Sequence, residues 1–121
     1  MRGTEWIVDA SGCDAAALRD PAVLAVLFSR IVDLLQLTPV SEPIWHAFPA
    51  PGGLTGFVVL AESHLACHTF PEFGSICLNV FCCRPRPAVD LVPLLRALLG
   101  TSHASVRQVE REYAGDARSL S

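Results

Sequence analysis

The sequence predicts an α+β fold, a two-layer sandwich in which an antiparallel-rich sheet carries helices packed on one face. Three observations lead there. The 121 residues suit one domain, 1–121, large enough to hold a real core. The segments run strand, helix, several strands, helix, strand. Three strand-like runs also follow one another in the middle of the chain with only turn residues between them.

Glu5 to Ala10 reads as the first strand, ended by Ser11-Gly12. Asp20-Pro21 supplies an N-cap and a first helical residue, where the missing proline N–H costs nothing, and the apolar stretch Val23 to Leu37 continues as a helix. Pro43 to Phe48 is a strand, followed by the turn-rich Pro49-Ala50-Pro51-Gly52-Gly53. Leu54 to Ala61, His64 to Phe70 and Ser75 to Cys83 are the central strands, and Pro71 and Gly74 punctuate the last two into a hairpin. A second helix covers Asp90 to Leu99. With Asp90 as its N-cap, Pro93 falls in the first turn and Gly100 at the C-terminal end. A last strand is expected from Ser105 to Glu112, with a loose tail after Gly115.

Composition narrows the function classes. Hydrophobic residues make up 51% and charged residues only 17%, so a monomer would struggle to cover its outside, and a symmetric homodimer is expected. The net charge is -3 with no basic run, which speaks against nucleic acid as a partner. Met1 to Ala10 lacks the apolar stretch of a signal peptide, and the longest apolar run, Ala22 to Phe28, is too short to span a bilayer. A soluble, cytoplasmic protein without a membrane partner is the expectation. Five cysteines, an odd number without a C-x-x-C pair, argue against a disulfide framework and a four-ligand zinc site. All nine basic residues are arginine. Without lysine the chain can neither hold pyridoxal phosphate as a Schiff base nor form a P-loop.

The densest polar cluster, Glu62 to Glu72, lies between apolar strands, where polar groups are costly unless paired or used. Alternation places His64 and His68 on one face and Cys67 and Thr69 on the other. His64-x-x-x-His68 has the spacing of a helical zinc pair, but the segment reads as a strand and no acidic base follows His64, so no metal is expected. A Cys83–His68 nucleophile pair is another reading. Taken singly, each of these residues is more economically a core His or Cys.

Taken whole, Leu60-Ala61-Glu62-Ser63-His64-Leu65 followed by His68-Thr69-Phe70-Pro71-Glu72-Phe73-Gly74 closely resembles the self-processing motif of bacterial S-adenosylmethionine decarboxylases. The resemblance extends through His46, Phe48 and Gly53-Leu54-Thr55-Gly56, through Val80-Phe81-Cys82-Cys83, and to Gly12-Cys13-Asp14. It implies that Ser63 attacks the carbonyl of Glu62 in an N-to-O acyl shift. β-Elimination and hydrolysis then leave a pyruvoyl group in place of Ser63, with chains 1–62 and 63–121. Such a reaction needs a hydroxyl nucleophile, a stabiliser of the tetrahedral intermediate and a base for the serine α-proton. The resemblance assigns these to Ser63, Thr55 and His68. The pyruvoyl cofactor would form a Schiff base with the substrate amine and serve as the electron sink, in agreement with the missing lysine. Resemblance further implies Cys83 as the acid that reprotonates the carbanion, Phe48 as a stacking partner for adenine and Glu72 as a ligand of the ribose hydroxyls. His64 matches the motif without an assigned step.

Several positions depart from the family pattern. Thr55 stands for the usual serine, stiffened by β-branching. Asn79 replaces an aspartate and Arg84 a glycine, and Arg84 and Arg86 bring positive charge near Cys83, which favours a thiolate and repels a sulfonium. The Gly-Arg-His entry to the first strand is absent, with Gly3 to Ile7 in its place, and Val109 to Gly115 follows the family only loosely. One extra residue lies between Phe48 and Thr55. Three functions follow: an S-adenosylmethionine decarboxylase serving spermidine synthesis, a pyruvoyl decarboxylase of ornithine or arginine, or an uncleaved paralogue that binds or regulates an active enzyme.

Overall fold

The computed structural model describes residues 1–86 and 88–114. The elements are β1 (Arg2–Ser11), α1 (Ala15–Leu18), α2 (Pro21–Leu34), β2 (Ile44–Ala47), β3 (Leu54–Leu60), β4 (Ser63–Phe70), β5 (Ser75–Cys82), α3 (Val92–Leu99) and β6 (His103–Glu112), with a 3₁₀ turn at Pro71–Phe73. The strands form one sheet in the order β2-β3-β4-β5-β1-β6. Every neighbouring pair is antiparallel. No helix among the described residues is long and apolar enough to cross a membrane.

The fold class and all the expected elements are present, with shifts at their ends. β1 begins at Arg2 rather than Glu5 because it is paired on both edges, with β5 and with β6, along nearly its whole length. The four-residue α1 was not expected. Asp14 caps it by accepting the Ala16 N–H at 3.1 Å, and so short a run carries no periodic signal. Asp20 caps α2 through the Ala22 N–H at 2.9 Å. That helix stops at Leu34 instead of Leu37, where Gln36 takes a left-handed φ of 55°. The N-cap position of α3 is Leu91 rather than Asp90; Asp90, one residue earlier, still accepts the Val92 N–H at 3.0 Å, and Pro93 sits in the first turn. The loose tail expected after Gly115 lies outside the described residues.

Amphipathicity decides how the layers meet. Leu24, Leu27, Phe28 and Ile31 recur at helical spacing on α2 and are buried, as are Leu95 and Leu99 on α3. They pack on the alternate residues of the sheet that face them: Trp6 and Val8, Leu54, Val58 and Leu60, Leu65 and Cys67, and Ile76, Leu78, Val80 and Cys82. Burial pushes the Cys67 thiol up to about 12, which keeps it neutral and unreactive at ordinary pH. The helices cover one face. The opposite face is open and carries half-exposed Phe57, Val59, Phe70 and Val109.

Gly56 is buried on β3 opposite Trp45, and a Cβ added there would lie 2.1 Å from the Trp45 ring. That ring packs against Phe28 with centroids 4.8 Å apart. Gly56→Ala is therefore expected to destabilise the protein by about 1–3 kcal/mol through overpacking. A urea midpoint equal to the parent's would show that Trp45 moves aside freely.

Candidate active site

The hairpin joining β3 to β4 turns through Ala61 and Glu62, with Leu60 and Ser63 paired across its mouth. Backbone bonds clamp it on both sides. The Ala61 N–H donates to the Thr38 carbonyl at 2.7 Å, and the Cys83 N–H donates to the Glu62 carbonyl at 3.1 Å. The Glu62 carboxylate accepts the Thr38 N–H at 3.1 Å. Ser63 sits opposite Cys82 of β5, its Oγ buried and without a hydrogen-bond partner. A hydroxyl without a partner thus lies next to a peptide carbonyl that already holds a donor, the two requirements of an attack on that carbonyl.

Cys83 follows β5 directly. It is half-buried, and the Tyr113 hydroxyl donates to its carbonyl at 2.9 Å, tying the end of β5 to the end of β6. Cys83 lines a cleft of about 730 Å³ with Arg84, Arg86 and Tyr113.

The remaining expected site residues gather at the far end of β3 and β4. Thr55 pairs with His68 in the register, and their side chains share a 3.0 Å hydrogen bond between Oγ1 and Nδ1. Both line a cleft of about 340 Å³ together with Phe48, Gly53, Phe70 and Glu72. Phe48 is half-exposed and stands edge-on to His46, with centroids 4.7 Å apart. Thr69 supports this cleft from inside the sandwich. Its hydroxyl accepts the Leu54 N–H and donates to the Leu18 carbonyl, both at 2.8 Å, which joins β4, β3 and α1.

Within one chain, Ser63 and His68 do not meet. They are five residues apart on an extended strand, roughly 16 Å, and on opposite faces of the sheet. Cys83 and His68 form no nucleophile pair either, because Cys83 follows the end of β5 opposite Ser63 while His68 pairs with Cys77 near the other end. His64 and His68 share the open face, but no group of three or more His, Cys, Asp or Glu side chains among the described residues is placed to hold a metal ion.

Sequence reasoning missed two features. The first is the Cys83 backbone donor on the Glu62 carbonyl, since a main-chain group leaves no mark in residue type. The second is a polar chain across the open face. Arg111 pairs with Glu5, Asn79 Nδ2 donates to Glu5 Oε2 at 3.2 Å, and the same nitrogen lies 3.5 Å from His64 Nε2. His64 also stacks on Phe57 with centroids 5.8 Å apart. Glu5, Asn79 and Arg111 come from three strands, and only the register brings them together.

The comparisons place this sheet, with its serine at a clamped hairpin, among the pyruvoyl-dependent carboxy-lyases, enzymes whose cofactor is made from their own serine. A family model described as S-adenosylmethionine decarboxylase matches residues 4–112. The S-adenosylmethionine decarboxylase proenzyme of Prochlorococcus marinus is 35% identical over 116 residues, covering 93% of this chain and 89% of that one. The proenzyme of Thermoplasma acidophilum is 31% identical over 119 residues, with 94% and 89% covered. Among solved structures, the adenosylmethionine decarboxylase of Aquifex aeolicus shares the fold with a TM-score of 0.74 at 25% identity, over 94% of this chain and 93% of that one. The chain belongs to the S-adenosylmethionine decarboxylase family, whose members use a pyruvoyl group formed from a serine of their own chain after self-cleavage.

The doubly bonded Thr69 hydroxyl carries a direct test. Thr69→Val keeps the shape but leaves one buried N–H and one buried carbonyl unpaired. A loss of about 2 kcal/mol or more is expected in denaturant unfolding, and a loss below about 0.5 kcal/mol would mean that other groups take over those bonds.

Proposed function

We propose that the chain cleaves itself between Glu62 and Ser63 and then decarboxylates S-adenosylmethionine as a homodimer whose two copies complete each other's sites. The buried, unpartnered Ser63 Oγ beside the donor-bound Glu62 carbonyl carries this reading. Ser63 Oγ attacks that carbonyl, the Cys83 N–H holds the oxygen as it gains charge, and the amide passes to an ester. A base removes the Ser63 α-proton, the Cβ–Oγ bond of Ser63 breaks, and the main-chain carboxylate of Glu62 leaves as the new C-terminus of the first chain. The dehydroalanine that remains takes up water and releases ammonia. The group so formed supplies an electron sink for decarboxylation. Cys83, half-buried beside it, returns a proton to the substrate carbon from its thiol.

The base and the nucleoside-binding residues stand at the other end of the same strand. Two copies joined over the open sheet face, about a two-fold axis lying across the strands, bring the hairpin of one to the Thr55–His68 cleft of the other. The open face supports this arrangement. Phe57, Val59, Phe70 and Val109 are 37–44% exposed on it, large apolar side chains that a second copy could cover. Its charges are already paired, Glu5 with Arg111 and Asp9 with Arg107. In this dimer His68 of the second copy takes the Ser63 α-proton. Its Nδ1 is held by Thr55, which leaves Nε2 for the reaction. Phe48 and Glu72 of that copy line the cleft for adenine and ribose. Family membership favours S-adenosylmethionine over ornithine or arginine. Free thiols and the lack of a basic surface run suit a cytoplasmic enzyme without nucleic-acid or membrane partners.

The first test is a denaturing intact mass spectrum of freshly purified protein. Two chains are expected, the second lighter by one ammonia than a serine-started fragment, and Ser63→Ala should remain whole. An uncleaved parent chain would sink the reading in favour of a binding or regulatory paralogue. A mixing test addresses the shared site. In Ser63→Ala co-expressed with His68→Ala, the His68→Ala chain should be cut, because its Ser63 meets an intact His68 from the other chain. If neither chain is cut, the two-copy site is wrong.

A further inference from the structure

The cleft beside Cys83 has a charge pattern that the reaction as described does not use. It is lined by Arg2, Arg84, Arg86 and Tyr113 along with Cys83. Arg2 pairs with Glu110 at 3.4 Å, so its charge is already answered. Arg84 and Arg86 form no salt bridge among the described residues. Arg84 is exposed, and Arg86 is half-buried with its Nε out of reach of both water and any acceptor. Two guanidinium groups one residue apart with donors to spare make a receptor for a carboxylate, which takes two parallel N–H bonds in the plane of the fork. The Tyr113 bond to the Cys83 carbonyl holds this part of the chain in place.

We infer that Arg84 and Arg86 form the subsite that receives the α-carboxylate of the substrate, which makes them specificity-determining residues. The inference rests on the placement of Ser63 and Cys83 at the reaction centre. Cys83 follows Cys82, which faces Ser63 in the register, and it lines the cleft together with the arginines; a substrate joined through its amine at position 63 and protonated by Cys83 would bring its α-carboxylate to the mouth of that cleft. The pairing acts on binding more than on the chemical step. The carboxylate carries full charge on arrival and loses it as the carbon–carbon bond breaks, so the arginines stabilise the bound substrate at least as much as the transition state. They also offset, through the carboxylate, the repulsion they exert on the sulfonium.

The test compares the processed parent with Arg84→Ala, Arg86→Ala and Arg86→Lys, using S-adenosylmethionine and its decarboxylated product, which keeps the sulfonium and lacks the carboxylate. In the alanine variants KM should rise about tenfold or more, the size of one charge-assisted hydrogen bond, with kcat unchanged or higher. Arg86→Lys should recover part of the loss, since it keeps the charge without the fork. Affinity for the product, measured by calorimetry, should stay equal or tighten. An unchanged or lower KM in the alanine variants would overturn the inference, as would an equal loss of affinity for substrate and product. Failure of the Ser63 reading shows separately, as an uncleaved parent chain in the mass spectrum.

Discussion

The pleat of β4 is the constraint on which the rest of the molecule depends. Its residues alternate between two unlike surroundings. Leu65, Cys67 and Thr69 are buried under the helices, while His64, Ala66, His68 and Phe70 look out from the opposite face. Each neighbouring strand is locked to this alternation by its register, so the whole sheet has one face made for helices and one face left open. A slip of one residue would expose Leu65 and bury two histidines. Thr69 is admitted to the core side of β4 because its hydroxyl is used twice, whereas Ser63, on the same face at the end of the strand, keeps a buried Oγ without a partner.

The same pleat separates the chemistry. Ser63 and Cys83 belong to the hairpin end, where main-chain bonds to Thr38 and Cys83 hold a two-residue turn without slack. Thr55, His68, Phe48 and Glu72 belong to the opposite end, beside the turn after β2. A single sheet offers no way to fold one end onto the other. In the proposed dimer each copy borrows the base and the cleft from the next, with the half-exposed apolar residues of the open face between them. The ion pairs there are individually weak because they are partly exposed. Glu5 differs, with only 17% of its side chain exposed and both Arg111 and Asn79 on its carboxylate.

Much of this architecture was legible from residue order. The cap Asp20, the stop at Gly100 and the Pro71–Gly74 punctuation are local devices that act within a few residues and operate as expected, and Asp90 bonds the first turn of α3 from one residue before its N-cap position. Alternation placed His64 and His68 together and Cys67 and Thr69 opposite them for the same local reason. The short α1, the early start of β1 and the early end of α2 were not legible. They depend on neighbours in space, such as the two strands flanking β1, and on one left-handed residue at Gln36.

By itself the sequence determined the fold class, the motif around Ser63 and, through the absence of lysine, a route to an electron sink that leaves pyridoxal phosphate out. Those conclusions rest on residue types and short spacings, which are properties of the chain alone. The tertiary structure decided which of the motif residues share a place. It put the Cys83 N–H on the Glu62 carbonyl, set Thr55 on His68, joined Arg111 to His64 by way of Glu5 and Asn79, and kept Ser63 and His68 apart. Register and pleat settle such meetings, and they act between strands that are distant in the sequence.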